Sequence, residues 1–308
     1  MIVADLSPEQ LRKALAHQGL RLRTGPFVTS IRASIDAVTA GIALHYRRHP
    51  VEPDDGFADF HVSVRRAAGL RRWVRPQVFF DYEGHATFKP LPFDQAFPIF
   101  EWGLNWCVSN LCHWYLVMHA AVIERSGLAV VLPAPPGSGK STLCAGLVNR
   151  GWRLLSDELA LLDPATGRLI SLARPVSLKN ESIRVMQAFA PGAGFSAVVR
   201  DTSKGDVAHM RPPDSSVARV GECARPAWVV LPRYQAGAAA LLEPLPKARA
   251  FMHLLEQSFN YNVHARAGFD ALGNLVDASD CYEFSYGNLD DAVAVFDRLA
   301  LARGCAPA

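Results

Sequence analysis

Several classes of protein are excluded by what the chain lacks. Its 308 residues hold six cysteines, at 107, 112, 144, 223, 281 and 305. No two of them form a CxxC pair, and no histidine cluster has zinc-ligand spacing. A disulfide scaffold is therefore excluded, and reduced thiols in a cytoplasmic setting are expected. Charge of one sign is also missing: 32 Lys and Arg against 29 Asp and Glu leave a net +3. So weak a field does not demand nucleic acid as a partner. The N-terminus, MIVADLSPEQLRKAL, has no basic stretch followed by an apolar one, so no secretory signal is read. No internal repeat is present. The longest apolar stretch, 106–123, is interrupted by Ser109, Asn110, His113 and His119. It reads as a buried helix running into a strand, with no membrane contact expected.

What remains is a chain that is 50% hydrophobic and 20% charged, enough for a full core in one large or two ordinary domains. The first 90 residues read as a small α+β unit. Helical spacing over 6–18 begins at Ser7 and Pro8, an N-cap followed by a first helical residue. Phe60, Val62 and Val64 alternate with polar neighbours, and 78–80 with 86–88 flank a turn at 81–84, which predicts a hairpin. An aromatic-rich helix is expected over 93–117, kinked near Pro98. From Met118 strands and helices alternate. Strands are predicted at 120–124, 128–132, 153–155, 160–162, 228–231 and 241–245, and helices at 141–149, 248–258, 266–276 and 290–301. This predicts an α/β core, α+β overall, with an accessory unit at 1–115 and a catalytic domain at 116–308. The Gly-, Pro- and Ser-rich stretch 190–221 reads as a mobile functional loop.

Chemistry concentrates in Ala134-Pro135-Pro136-Gly137-Ser138-Gly139-Lys140-Ser141, between an apolar strand and a helix. It is a P-loop pattern with Ala at its first glycine. Gly137 and Gly139 let the backbone turn so that N–H groups of 137–142 face a phosphate, helped by the helix N-terminus. The expected nucleotide-binding set is Pro136, Gly137, Ser138, Gly139, Lys140, Ser141 and Thr142. Lys140 would bridge the outer phosphates, and the Ser141 or Thr142 hydroxyl would face Mg²⁺. A second carboxylate should end a nearby strand, and 152–158 supplies Asp157 and Glu158, 17 and 18 residues after Lys140. Asp157 is placed to hold metal and Glu158 to accept a hydroxyl proton; a mere acidic cap is the plain alternative. His119, 21 residues ahead of Lys140, is either a core histidine or a site residue.

The combination of His119, Gly139-Lys140-Ser141 and Ser156-Asp157-Glu158 resembles the HPr kinase/phosphorylase family, whose catalytic domain shares a fold with phosphoenolpyruvate carboxykinases. The similarity looks greatest to the divergent HPr kinase-related kinases of type A, and extends to Arg174-Pro175-Val176-Ser177-Leu178-Lys179-Asn180. The resemblance implies that Lys140 and Ser141 hold the triphosphate and its metal, that Asp157 is the second metal ligand, and that His119 lies near the transferred phosphate. Glu158 departs from the family's Asp at the base position. The glycine-rich signature that engages HPr is not found, which makes HPr itself a poor candidate acceptor.

Further cations are candidates. Arg174 and Lys179 would reach the γ-phosphate or lie in a solvated loop. Lys204, His209 and Arg211 would bring charge over the site as a lid, or belong to a linker. Arg65, Arg66, Arg71, Arg72 and Arg75 form either a solvated face or a dock for an acidic or phosphorylated partner. The sequence thus predicts an ATP- and Mg²⁺-dependent kinase acting on a hydroxyl, most simply a Ser of a protein or peptide. A small-molecule hydroxyl, a nucleotide-gated switch using ATP or GTP, and self-association into a homo-oligomer all stay open.

Overall fold

The computed structural model describes residues 1–53, 55–135 and 137–306. It has a mixed α/β architecture with four sheets. In the N-terminal part, Leu20–Thr24, Phe27–Ala33, Phe60–Arg66, Gln77–Tyr82 and His85–Ala86 lie side by side in that order. Phe27–Ala33 and Phe60–Arg66 run parallel, so a crossover is required, and the helix Asp36–His45 supplies it. The expected hairpin is present, turning at Glu83 and Gly84, both with positive φ. Leu11, Leu22, Ile31, Ile42, Phe80 and Phe100 fill the core beneath this sheet. The early helix begins at Pro8 with Ser7 as a true capping box: Ser7 Oγ accepts from Gln10 N and the Gln10 side chain accepts from Ser7 N.

The aromatic helix is Ala96–Leu111, shorter than expected. Pro98 does not mark a kink. It is the third helical residue, where its missing N–H would have no intrahelical partner anyway. A Cβ on Gly103 would lie 2.1 Å from the Phe80 ring, so glycine is what lets this helix approach the sheet so closely.

The larger sheet has the order Arg153–Ser156, Ala120–Arg125, Leu128–Pro133, Arg225–Tyr234, Asp280–Tyr286, Leu241–Pro244. Its centre is parallel, Leu128–Pro133 with Arg225–Tyr234 and the latter with Asp280–Tyr286. Helices Lys140–Val148 and Leu289–Ala302 pack on one face through Leu143, Leu147, Ala292 and Phe296. The sequence reading does not include the strand Asp280–Tyr286, because its polar alternation (Asp280, Glu283, Ser285) hides a run paired on both sides.

The topology decides where the chemistry falls. Leu128–Pro133 and Arg153–Ser156 are both antiparallel to Ala120–Arg125. Both therefore end where Ala120–Arg125 begins, and His119 stands at that point. His119 lies not within one strand but at the break between Leu116–Met118 and Ala120–Arg125, which belong to different sheets.

The stretch 190–221 is not a loop. Val199–Thr202 and Gly205–Met210 form a hairpin that pairs with Val176–Lys179, and Asp214–Ala218 is a short helix. The reason is burial: Val207, Ala208, His209 and Met210 are all inaccessible, and a run buried on both faces gives no alternation to read. Among the described residues no helix is long and apolar enough to cross a membrane.

Candidate active site

The strand Leu128–Pro133 leads into the glycine-rich turn, and the helix Lys140–Val148 follows. Pro136 lies outside the described residues. Gly137 and Gly139 both have positive φ, 87° and 88°, which only glycine adopts cheaply. At Gly139 there is a second reason: a Cβ there would sit 2.5 Å from the Tyr286 hydroxyl and 2.7 Å from Tyr234 Cβ. Tyr286 donates its hydroxyl to Gly139 O at 2.8 Å, and Tyr234 N donates to Ser138 O at 2.8 Å. Two parallel strand ends thus pin the turn. No side chain caps the helix start, so Lys140, Ser141 and Thr142 present first-turn N–H groups without intrahelical acceptors. The Ser138 hydroxyl is buried without a partner among the described residues.

Lys140 is buried, and its Nζ lies 2.9 Å from His119 Nε2. An ammonium has only donors, so Nε2 accepts and the imidazole proton sits on Nδ1. Nδ1 faces Glu158, 3.7 Å from Oε2. Burial, with Lys140 second, pushes His119 down to about 4, which keeps the ring neutral. Burial also lowers Lys140, against the pull of Glu158 and Asp157. For Glu158 burial alone would raise the carboxyl, but Lys179, Lys140, His119 and Lys204 together bring it below its ordinary value. Lys179 Nζ is 3.8 Å from Glu158 Oε1. Glu158 is thus held ionised inside a ring of cations.

Asp157 is buried, and burial with the Glu158 charge second raises it to about 6. Its Oδ2 accepts from Ser177 N at 3.1 Å, and Ser141 is a hydrogen-bonding neighbour. Its Oδ1 has no partner among the described residues. An unsatisfied buried carboxylate oxygen beside a helix-start hydroxyl fits Mg²⁺, which takes one or two carboxylates and leaves its other positions to water and phosphate. Among the described residues no group of three or more His, Cys, Asp or Glu could hold a metal ion; Ser141 and Asp157 are two oxygen-bearing residues that could face one.

The other cations divide. Lys204 sits at the tip of the 199–210 hairpin, with Nζ 4.7 Å from the Trp102 ring centroid. Burial lowers its ammonium while the Glu158 charge raises it. Arg174 does not stand free for a phosphate: it is buried and bonds Glu101 Oε2 at 2.8 Å, Asn105 Oδ1 at 2.7 Å and Tyr46 Oη at 3.3 Å. His209 is not a lid cation either. It is buried against Phe97 and His45, and burial drives its pKa far down. Arg211 points toward the N-terminal part, within 3.9 Å of Asp214 and beside Leu44. Arg174 and His209 are drawn against the helix Ala96–Leu111 through Glu101 and Phe97, and Arg211 turns toward Asp214, which leaves Lys179 and the hairpin-tip Lys204 near Glu158.

A narrow cleft with about 20 Å³ of open space lies beside the carboxylates, walled by Glu101, Trp102, Asn105, Asp157, Glu158 and Ser177. Three of these come from the N-terminal part. The sequence reading missed Trp102, Asn105, Tyr234 and Tyr286, and no local signal marks them, since aromatic residues are most simply core.

No family model and no curated protein matches the chain. Among solved structures it is similar to the Hpr(Ser) kinase/phosphatase from Coxiella burnetii, at 11% identity and a TM-score of 0.25, over 60% of this chain and 98% of that one.

Proposed function

We propose that this protein is a P-loop phosphotransferase that moves the γ-phosphate of ATP to a hydroxyl, with a Ser of a protein or peptide as acceptor. One observation carries the reading. Lys140, His119 and Glu158 stand in line, beside an uncapped helix start and an Asp157 oxygen without a partner. A structural role alone leaves that buried oxygen and the Ser138 hydroxyl unsatisfied, at a cost of about 1–3 kcal/mol each.

In this reading the first-turn N–H groups of Lys140, Ser141 and Thr142 bind phosphate oxygens, and Lys140 reaches the outer phosphates. Ser141 and Asp157 hold Mg²⁺, which when bound neutralises phosphate charge. The acceptor hydroxyl enters from the cleft lined by Trp102 and Asn105, and its proton passes to a Glu158 oxygen as its oxygen attacks phosphorus and ADP leaves. Glu158 is a weak base because three lysines, Lys179, Lys140 and Lys204, surround it. Weakness is tolerable, since the transition state is loose and the proton need move only late. His119 Nδ1–H orients the carboxylate, and Lys179 and Lys204 add positive charge where phosphoryl oxygens would lie. The open space is the size of one water or hydroxyl, which suits a hydroxyl reaching in from a larger molecule. Residues 1–115 then serve as an accessory unit that completes the acceptor side, and 116–308 as the catalytic domain.

Glu158→Gln is expected to keep Mg·ATP affinity and lose transfer by roughly 10²–10⁴-fold, whereas Lys140→Ala loses both. Transfer by Glu158→Gln at the wild-type rate would remove the base assignment. Labelled ATP hydrolysed in lysate with no labelled acceptor would favour a nucleotide switch instead.

A further inference from the structure

Between the strands Phe60–Arg66 and Gln77–Tyr82 the chain leaves the body of the N-terminal sheet. Residues 68–76 are all exposed, and a side chain built on Gly69 would meet nothing within 4 Å. The only regular structure there is the short turn Gly69–Arg72. Three large apolar side chains stand in water within it: Leu70 at 74%, Trp73 at 78% and Val74 at 53% exposure. Isolated exposed apolar residues are ordinary; three within five positions of one protruding loop are not.

The five arginines noted in the sequence divide in two. Arg65 is bound to Asp81 at 2.6 Å, and Arg66 lies 4.2 Å from the Phe93 ring centroid, so both are part of the sheet. Arg71, Arg72 and Arg75 interleave with the apolar residues, and no acidic residue occurs between Arg66 and Asp81. No ion pair holds these three among the described residues; Arg72 lies 5.5 Å from the Trp73 ring centroid, which keeps its charge available.

We propose that this loop docks the protein reversibly on an anionic membrane surface. Trp73, Leu70 and Val74 enter the interfacial layer while Arg71, Arg72 and Arg75 pair with lipid phosphates and carboxylates. Aliphatic Leu70 and Val74 argue against nucleic acid, which rewards stacking and charge but gains little from them. The loop's form argues against a folded acidic protein, because a projecting tip needs a matching concavity, whereas a bilayer moulds around it. Tryptophan between arginines is the composition of a headgroup boundary. A single short loop gives weak attachment, so the protein would exchange on and off the surface.

Co-sedimentation of the whole protein with vesicles tests this. Partition onto phosphatidylcholine vesicles containing about one-third phosphatidylserine should exceed that onto phosphatidylcholine alone by roughly tenfold, and should fall steeply in high salt. Leu70→Ala with Trp73→Ala, and separately Arg71→Glu with Arg75→Glu, should each cut that binding by about tenfold or more, with circular dichroism unchanged. Arg266→Glu, at a position whose side chain is 93% exposed elsewhere, should bind as wild type. Equal partition onto both vesicles, or binding indifferent to the loop variants, overturns the proposal. So does capture of polyuridine RNA or polyglutamate through the same arginines without vesicle binding.

Discussion

Lys140 Nζ and His119 Nε2 stand 2.9 Å apart, joining the start of a helix to the break between two sheets. The contact fixes which imidazole nitrogen carries the proton, and so aims Nδ1–H at Glu158. Removing the ring should separate binding from chemistry. His119→Ala is expected to hold nucleotide affinity within a few-fold while transfer falls about 10²-fold. His119→Asn, which still offers an acceptor to Lys140, should recover part of the loss. Titration of nucleotide binding beside single-turnover transfer checks both.

Asp157 illustrates stability given up at a site. Its folded pKa is raised to about 6 by burial, against about 3.9 for a free carboxyl. A raised carboxyl favours the folded state at low pH, and that contribution is lost as pH rises through about 6. At pH 8 the folded protein therefore carries a buried charge that the unfolded chain holds freely in water. Asp157→Asn should stabilise the metal-free protein there by about 1–3 kcal/mol while abolishing Mg²⁺-dependent nucleotide affinity. Chemical denaturation with and without Mg·ATP reads out the two effects.

Acid should weaken the fold through its buried histidines. Burial, with Arg211 second, brings His45 down to about 3, burial brings His49 down to about 4, and burial drives His209 far down. These groups stay neutral when folded and take up protons when unfolded. Their contribution is complete above the unfolded pKa of about 6.5 and is lost as pH falls from there toward the folded values. At pH 5 each should cost about 2 kcal/mol relative to pH 8. Asp157 shifts the other way over the same range and offsets roughly one of the three. Denaturant midpoints between pH 8 and pH 5 should fall accordingly.

Arg174 and Glu101 form a buried ion pair at 2.8 Å, further bonded to Tyr46 and Asn105. Their network ties the helix Ala96–Leu111 to the segment that carries Ser177, whose N–H holds Asp157. Arg174→Ala leaves Glu101 in the interior without its cation, held by Tyr46 only, which should cost about 3–5 kcal/mol. Arg174→Met with Glu101→Leu should recover much of it, because the paired loss leaves no orphaned charge. Thermal unfolding of the single and double variants distinguishes this from simple loss of packing.

How much of this was legible in the sequence varies with the kind of residue. The glycine-rich turn was readable because Gly137 and Gly139 are forced by backbone geometry, a local requirement. The strands on either side alternate or run apolar. By contrast Arg174, His209 and Arg211 looked like solvent-facing cations. Their fates depend on Glu101, Phe97 and Leu44, which lie 73, 112 and 167 residues away in the chain. The hairpin within 190–221 stayed hidden because His209 and the glycines break the pattern that burial on both faces would otherwise produce.

Local sequence was enough for the mixed α/β class, the glycine-rich turn before a helix and the two adjacent acids, since each follows from short-range sterics, hydrogen bonding or hydrophobic period. The meeting of His119, Lys140 and Glu158 is a long-range outcome. That outcome follows from two strands running antiparallel to a third, a register set by long-range packing. The same packing chose which of the candidate cations, Lys179 and Lys204, face Glu158, and which were drawn inside.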